Sequence, residues 1–274
     1  MILMMRECLY MEGWLRLINE KRKGILIKLL LIIAIGGMVY SGYGLFNIWY
    51  EYKKNDTSYQ NVRKYQPEII PATGTWADTP FKFQFTREEF ESLYAINNDL
   101  IGWIVIPGTN VNYPMVQGSD SEYYLHHNFE KQVNSGGAIF LDSEQKTPFD
   151  DKNTIIYGHH MRDGSMFGSL KNLEEQSFLD NNNKVYIATK DYQYMYQIFS
   201  IYVDNPDSDS YYYKFASDDE FISYLKKLKS KSAVNSDVND FVAGDKIITL
   251  STCSYEFNDA RLIVHAKLIS QNKY

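Results

Sequence analysis

Three residues whose types could do chemistry together stand at the ends of apolar runs. Cys253 closes the run D-K-I-I-T-L-S-T-C (245–253), Arg261 opens the next run eight residues later, and His159 follows N-T-I-I-Y-G (153–158). A thiol that is to act near neutral pH needs a base or a cation beside it. The oxyanion that develops in acyl transfer needs donors aimed at it, and a guanidinium can supply them. Strand ends hold such side chains rigidly while the following loops admit substrate. Cys, His and Arg can thus serve as nucleophile, proton shuttle and electrostatic clamp. Read singly, each also has a structural explanation. Arg261 can be a surface charge, His160 an exposed neighbour of His159, and His126 and His127 a surface pair. His265 lies on the apolar face of its run and reads as structural.

Charge and hydropathy divide the chain. Residues 1–28 carry six Lys/Arg against three Asp/Glu, whereas the rest of the chain holds 22 basic and 31 acidic side chains. Between Lys28 and Glu51 lie 22 uncharged residues, L-L-L-I-I-A-I-G-G-M-V-Y-S-G-Y-G-L-F-N-I-W-Y. As a helix they would span about 33 Å, the hydrocarbon thickness of a bilayer. Tyr40, Tyr43, Trp49 and Tyr50 sit toward one end as an interfacial belt. Lys21, Arg22, Lys23 and Lys28 precede the span, so the positive-inside rule places the N-terminus in the cytoplasm and residues 51–274 outside. No small-residue cleavage pattern follows, which favours an uncleaved signal anchor over a cleaved leader. The expected organisation is a cytoplasmic tail at 1–28, a transmembrane anchor at 29–50, a polar stalk at 51–84 and a compact domain at 85–274.

That topology sharpens the cysteine argument. Cys8 falls on the cytoplasmic side, which leaves Cys253 as a single exported thiol that cannot form an intramolecular disulfide. An unpaired thiol risks oxidation outside the cell, and its presence there favours catalysis over packing. The net charge of −6 gives no footprint for nucleic acid, and no cluster has zinc-ligand spacing. Neither a cofactor nor a metal is expected.

Beyond the anchor, Thr86 and Glu89 form a capping box before a short amphipathic helix. Apolar runs bounded by turn residues follow at 101–106, 137–142, 153–158, 184–190, 192–203, 245–253 and 261–269. Seven or more short strands make a mainly β domain, a closed barrel or a sandwich. One helix interrupts them: Ser217 caps Asp218, Asp219 and Glu220, apolar residues recur at helical spacing, and lysines crowd the far end. From these residues alone, an acyltransferase, a cell-wall cysteine peptidase and an inert tethered surface protein all stay open. A papain-like peptidase places its Cys before its His and at a helix N-terminus, the reverse of the order here.

The runs T-L-S-T-C (249–253) and I-I-Y-G-H-H-M (155–161), with Arg261 opening the final strand, resemble the signature of the sortases, most closely their class B branch. D-L-I-G-W-I-V-I-P-G-T-N-V-N-Y-P-M-V-Q (99–117), Y-Y-L-H-H-N-F (123–129), G-A-I-F-L-D (137–142) and M-F-G-S-L (166–170) extend the likeness over about residues 85–270. The resemblance implies an eight-stranded β-barrel with an N-terminal helical extension and a helix inserted between the sixth and seventh strands. It also implies a membrane-anchored cysteine transpeptidase in which Cys253 is the nucleophile, His159 (not His160) the acid/base and Arg261 the cationic stabiliser. Ser251 and Thr252 would line the substrate groove, and the Ser254 backbone N–H would donate to the oxyanion. The implied partners are secreted proteins with a C-terminal sorting signal of the N-P-x-T or L-P-x-T-G kind, an amine of peptidoglycan or of its lipid-linked precursor, and the plasma membrane. The chain's own Ile70-Pro71-Ala72-Thr73-Gly74 looks like such a signal but is read as a Pro/Gly linker.

Overall fold

The computed structural model describes residues 2–70, 82–254 and 259–273; Pro71 to Gly74 of the signal-like stretch lie outside them. The chain divides into two compact units, Met1–Lys53 and Lys54–Tyr274. The helix α1 (Ile2–Arg63), whose end belongs to the second unit, carries the whole uncharged stretch. The apolar side chains of that stretch are exposed, Ile33 at 69% and Tyr40 at 80%. By length and composition this segment is a helix able to cross a membrane.

The second unit is a barrel. After a two-stranded pair, β1 (Glu68–Ile70) with β2 (Lys82–Gln84), comes α2 (Arg87–Ile96). The reciprocal Thr86–Glu89 capping box starts α2 as expected. The strands β3 (Leu100–Val105), β4 (Asn112–Val116), β5 (Ile139–Leu141), β6 (Asn153–Tyr157), β7 (Lys184–Thr189), β8 (Tyr192–Asp204), β9 (Ile247–Cys253) and β10 (Arg261–Lys273) close in the order β10-β8-β7-β3-β4-β5-β6-β9. Neighbours are antiparallel except β4–β5 and β6–β9, which run parallel. The short α3 (Tyr123–His126) and α4 (Gln176–Asn181) lie in connections. The inserted helix α5 (Asp218–Lys231) starts at Ser217, whose side chain accepts from the Glu220 N–H, and falls between the sixth and seventh barrel strands.

Two apolar cores result. The larger fills the barrel around Trp103, Ile104, Phe167 and Tyr196. The smaller seats Phe221, Leu225 and Leu228 of α5 on Phe199, Ile247 and Ile263. Beneath it His265 is fully buried, with Nε2 2.8 Å from the Tyr202 hydroxyl and Nδ1 2.9 Å from Thr249 Oγ1. Desolvation, with a smaller contribution from Lys231, pushes its pKa down to about 3. The unfolded chain therefore binds a proton near pH 6.5 that the folded chain refuses, so stability is lost as pH falls from about 6.5 toward 3. Between pH 7 and pH 5 this single group is expected to cost about 2 kcal/mol in denaturant unfolding. His265→Gln should flatten that slope, and an unchanged slope would contradict the assignment.

One expected boundary moves. Residues 51–84 were anticipated as a stalk, with compact structure from about Thr86. The second unit instead begins at Lys54, and Asn55, Ser58, Tyr59 and Val62 of α1 are buried. Their spacing places them on one face of the helix. Tyr59 donates to the Gly137 carbonyl at 2.9 Å, Lys54 to the Val133 carbonyl at 2.9 Å, and the Asn128 amide to Ser58 Oγ at 2.7 Å. The face was hidden because two of its four residues are polar.

Candidate active site

The site is assembled at one end of three neighbouring strands. β9 and β10 pair so that Cys253 and Arg261 are direct cross-strand partners, the last rung of that ladder. Such partners project to the same face with Cβ atoms about 5 Å apart. On the other side of β9, β6 runs parallel with Tyr157 opposite Ser251, and the Gly158 N–H donates to the Ser251 carbonyl at 3.2 Å. His159 follows immediately. Position at the strand end explains the choice of exposed residue: β9 is buried from Ile247 through Thr252, and only its last residue, Cys253, is exposed.

Cys253, His159 and Arg261 line one cleft of about 260 Å³, together with Ser251, Thr252, Leu125, Phe140, Tyr157, Pro206 and Tyr211. The three residues nominated for chemistry are thus brought together. His159 Nε2 lies 2.7 Å from the Leu125 carbonyl. A carbonyl only accepts, so Nε2 carries the proton of the neutral ring and Nδ1 is left to exchange one. The same ring edge packs at Gly137, where a Cβ would stand 3.0 Å from His159 Cδ2. Arg261 Nη1 donates to the carbonyls of Asp259 and Ala260, at 2.9 and 3.2 Å. Its positive charge also reaches the cleft's phenols: burial raises the pKa of Tyr157 and Tyr211, and Arg261 opposes the rise in both.

The residues expected to contact substrate fare unequally. Thr252 Oγ1 is buried in the cleft lining and lacks a hydrogen-bond partner among the described residues. Ser251 Oγ is 2.9 Å from the Tyr211 hydroxyl, and the Tyr211 and Tyr157 rings stack at 6.2 Å. Ser254 is a correction. Its backbone N–H donates to the Ala260 carbonyl at 2.7 Å, closing the base of the 254–260 loop, so it is not free to serve an oxyanion.

Sequence reading did not place Leu125, Phe140, Pro206 and Tyr211 at the site; they come from α3, from β5 and, for the last two, from the connection between β8 and α5. Leu125 and Phe140 stand in two of the runs that carry the family resemblance, which was the signal available for them. Sequence reading also took His160 for an exposed bystander, whereas its Nδ1 lies 2.7 Å from the Cys253 carbonyl. A larger depression of about 340 Å³ lies elsewhere, lined by Gln176, Asp180, Asn235 and Asp237. Its carboxylates already accept from the Gln176 and Gln197 amides, and it holds no Cys or His. Among the described residues no three His, Cys, Asp or Glu side chains cluster as metal ligands.

The protein-family model for the sortase domain matches residues 104–269, a span that contains every residue lining the cleft. The chain belongs to the sortase family. Sortase B of Listeria monocytogenes is 34% identical over 257 residues, covering 92% of this chain and all of that one. Among solved structures, sortase B from B. anthracis in complex with AAEK1 superposes with a TM-score of 0.69 at 33% identity, over 81% of this chain and 99% of that one. The Staphylococcus aureus sortase B-substrate complex gives 0.63 at 37% identity, over 67% and 86%. This sortase is therefore a class B cysteine transpeptidase on the family's eight-stranded barrel, with an N-terminal apolar helix fit to anchor it in a membrane.

Proposed function

We propose that this sortase cuts a sorting signal after its Thr and joins the new carboxyl end to a cell-wall amine, with Cys253, His159 and Arg261 as the reacting constellation. The observation that carries the assignment is the Arg261–Cys253 cross-strand rung facing a cleft shared with His159. In the first step Cys253 gives its thiol proton to His159 Nδ1 and its sulfur attacks the Thr carbonyl carbon, while Arg261 offsets the charge on the carbonyl oxygen. The peptide C–N bond breaks as His159 Nδ1 gives its proton to the leaving amine. A thioester to Cys253 remains. In the second step an incoming amine attacks that thioester, passes a proton back to His159, and the sulfur leaves. Ser251 and Thr252 would hold the signal, the latter through its unpartnered hydroxyl.

The substrates would be secreted proteins bearing a C-terminal signal, and the acceptor a peptidoglycan or lipid-linked precursor amine. In the organisation that fits this chemistry, residues 1–28 are cytoplasmic, 29–50 span the plasma membrane and the barrel lies outside. Tethering then concentrates the enzyme where exported chains emerge. The catalytic domain would then take in the end of α1, from Lys54 onward.

The test uses the full chain in detergent micelles with quenched fluorescent peptides spanning N-P-x-T-x and L-P-x-T-x and a panel of amines. Cleavage after Thr with the amine joined to the product is expected. Cleavage that yields only the free acid at every amine concentration would make the protein a peptidase.

A further inference from the structure

The double histidine of the Y-G-H-H run has one member unaccounted for. The β6–β9 ladder runs through Tyr157 and Ser251, and the Gly158 N–H donates to the Ser251 carbonyl. In a parallel ladder the next donor on the same strand lies two residues on, as does the next acceptor. That rung would join the backbone N–H of residue 160 to the carbonyl of residue 253. The backbone of His160 instead turns away into a bridge with Met166. Its side chain takes over, with Nδ1 placed 2.7 Å from the Cys253 carbonyl. Because that oxygen only accepts, Nδ1–H is the donor in either charge state of the ring.

The rung matters because of where it falls. Cys253 is the last residue of β9, and the peptide that follows it is held on one side by the Ser254 N–H to Ala260 carbonyl bond. The His160 bond fixes the carbonyl of that same peptide. Without it, that peptide is held only from the β10 side, and the residue that bears the sulfur is fixed less tightly. A displacement of about 1 Å in a reacting group can cost about 100-fold in rate.

We propose that His160 is a positioning residue that holds the Cys253 peptide, and with it the sulfur, in line with the substrate carbonyl through its Nδ1–H. The proposal rests on Cys253 being the nucleophile. It separates cleanly from a catalytic role for His160, because asparagine places an amide nitrogen where histidine has Nδ1, yet does not titrate. Glutamine carries its amide one bond farther out and misses the carbonyl.

The test compares His160→Asn, His160→Gln, His160→Ala and Cys253→Ala in the full chain, by steady-state transfer between pH 5 and 9 and by the rate at which a thiosulfonate modifies Cys253. His160→Ala and His160→Gln should lower kcat by about 10- to 100-fold with KM within about twofold, and His160→Asn should retain kcat within about threefold. The Asn variant should also keep both limbs of the pH profile. An Asn variant as poor as the Ala one, or an Ala variant as active as the parent, overturns the proposal. Loss of a pH limb in the Asn variant would make His160 an acid/base and overturns it equally. If Cys253→Ala still transfers, the nucleophile assignment itself has failed, a result the histidine variants cannot produce.

Discussion

Arg261→Ala is expected to lower kcat for transfer by about 100- to 1,000-fold while KM moves no more than about threefold, the pattern of a lost oxyanion donor. The residue opens β10 directly opposite Cys253 and lines the same cleft. Anchoring of Nη1 by the Asp259 and Ala260 carbonyls pre-organises the guanidinium and spares it reorganisation as the oxyanion forms. Arg261→Lys keeps the charge but loses the planar fork, and should recover only part of the rate. Steady-state kinetics on a cleaved signal peptide decide the matter. A rise in KM with kcat preserved would instead make Arg261 a substrate-binding residue.

Gly137→Ala is expected to damage fold and chemistry together. Gly137 holds φ at +57°, where a side chain is strained, and an added Cβ would stand 2.5 Å from the Tyr124 carbonyl oxygen and 2.9 Å from that of Leu125. Both contacts are with backbone that cannot step aside cheaply. The left-handed cost and the clash together should reach about 2–4 kcal/mol, or a fall in Tm of about 5–15 °C. The same Cβ presses on His159 Cδ2, and the Leu125 carbonyl is the acceptor that fixes His159 Nε2. Among molecules that still fold, kcat should therefore fall by at least about 30-fold. Tyr59→Phe offers a gentler probe of the same joint. It removes the donor to the Gly137 carbonyl, leaves that oxygen buried without its partner, and should cost about 1–3 kcal/mol. Thermal unfolding of both variants checks the stabilities, and a Gly137→Ala protein with parental Tm and kcat would refute the geometry.

What the sequence disclosed depended on whether the physical signal was local. The α2 and α5 starts were legible because a cap is made by residues three apart, Thr86 with Glu89 and Ser217 with Glu220. β9 and β10 were legible as apolar runs ending at the chemistry, and the closed barrel followed from the family resemblance. β4 escaped as a strand because it contains Pro114. The proline is tolerated because β4 pairs with β5 only at Met115 and Val116. The end of α1 escaped because two of its four buried residues, Asn55 and Ser58, are polar and break the apolar pattern that Tyr59 and Val62 would show. Cys253, His159 and Arg261 were found by residue type and position, whereas the roles of Ser254 and His160 turned on hydrogen bonds to backbone carbonyls of other segments. Such bonds leave no mark on composition or periodicity.

The central claim is that Cys253 carries the acyl group between donor and acceptor. Intact-mass spectrometry of the full chain, mixed with a cleavable signal peptide and quenched in acid before any amine is added, tests it most directly. The account predicts an adduct equal to the peptide up to and including its Thr. It should sit on Cys253, be absent from Cys253→Ala, and disappear when an amine acceptor follows. Product formation with no adduct on Cys253, or an adduct that persists in Cys253→Ala, would contradict it.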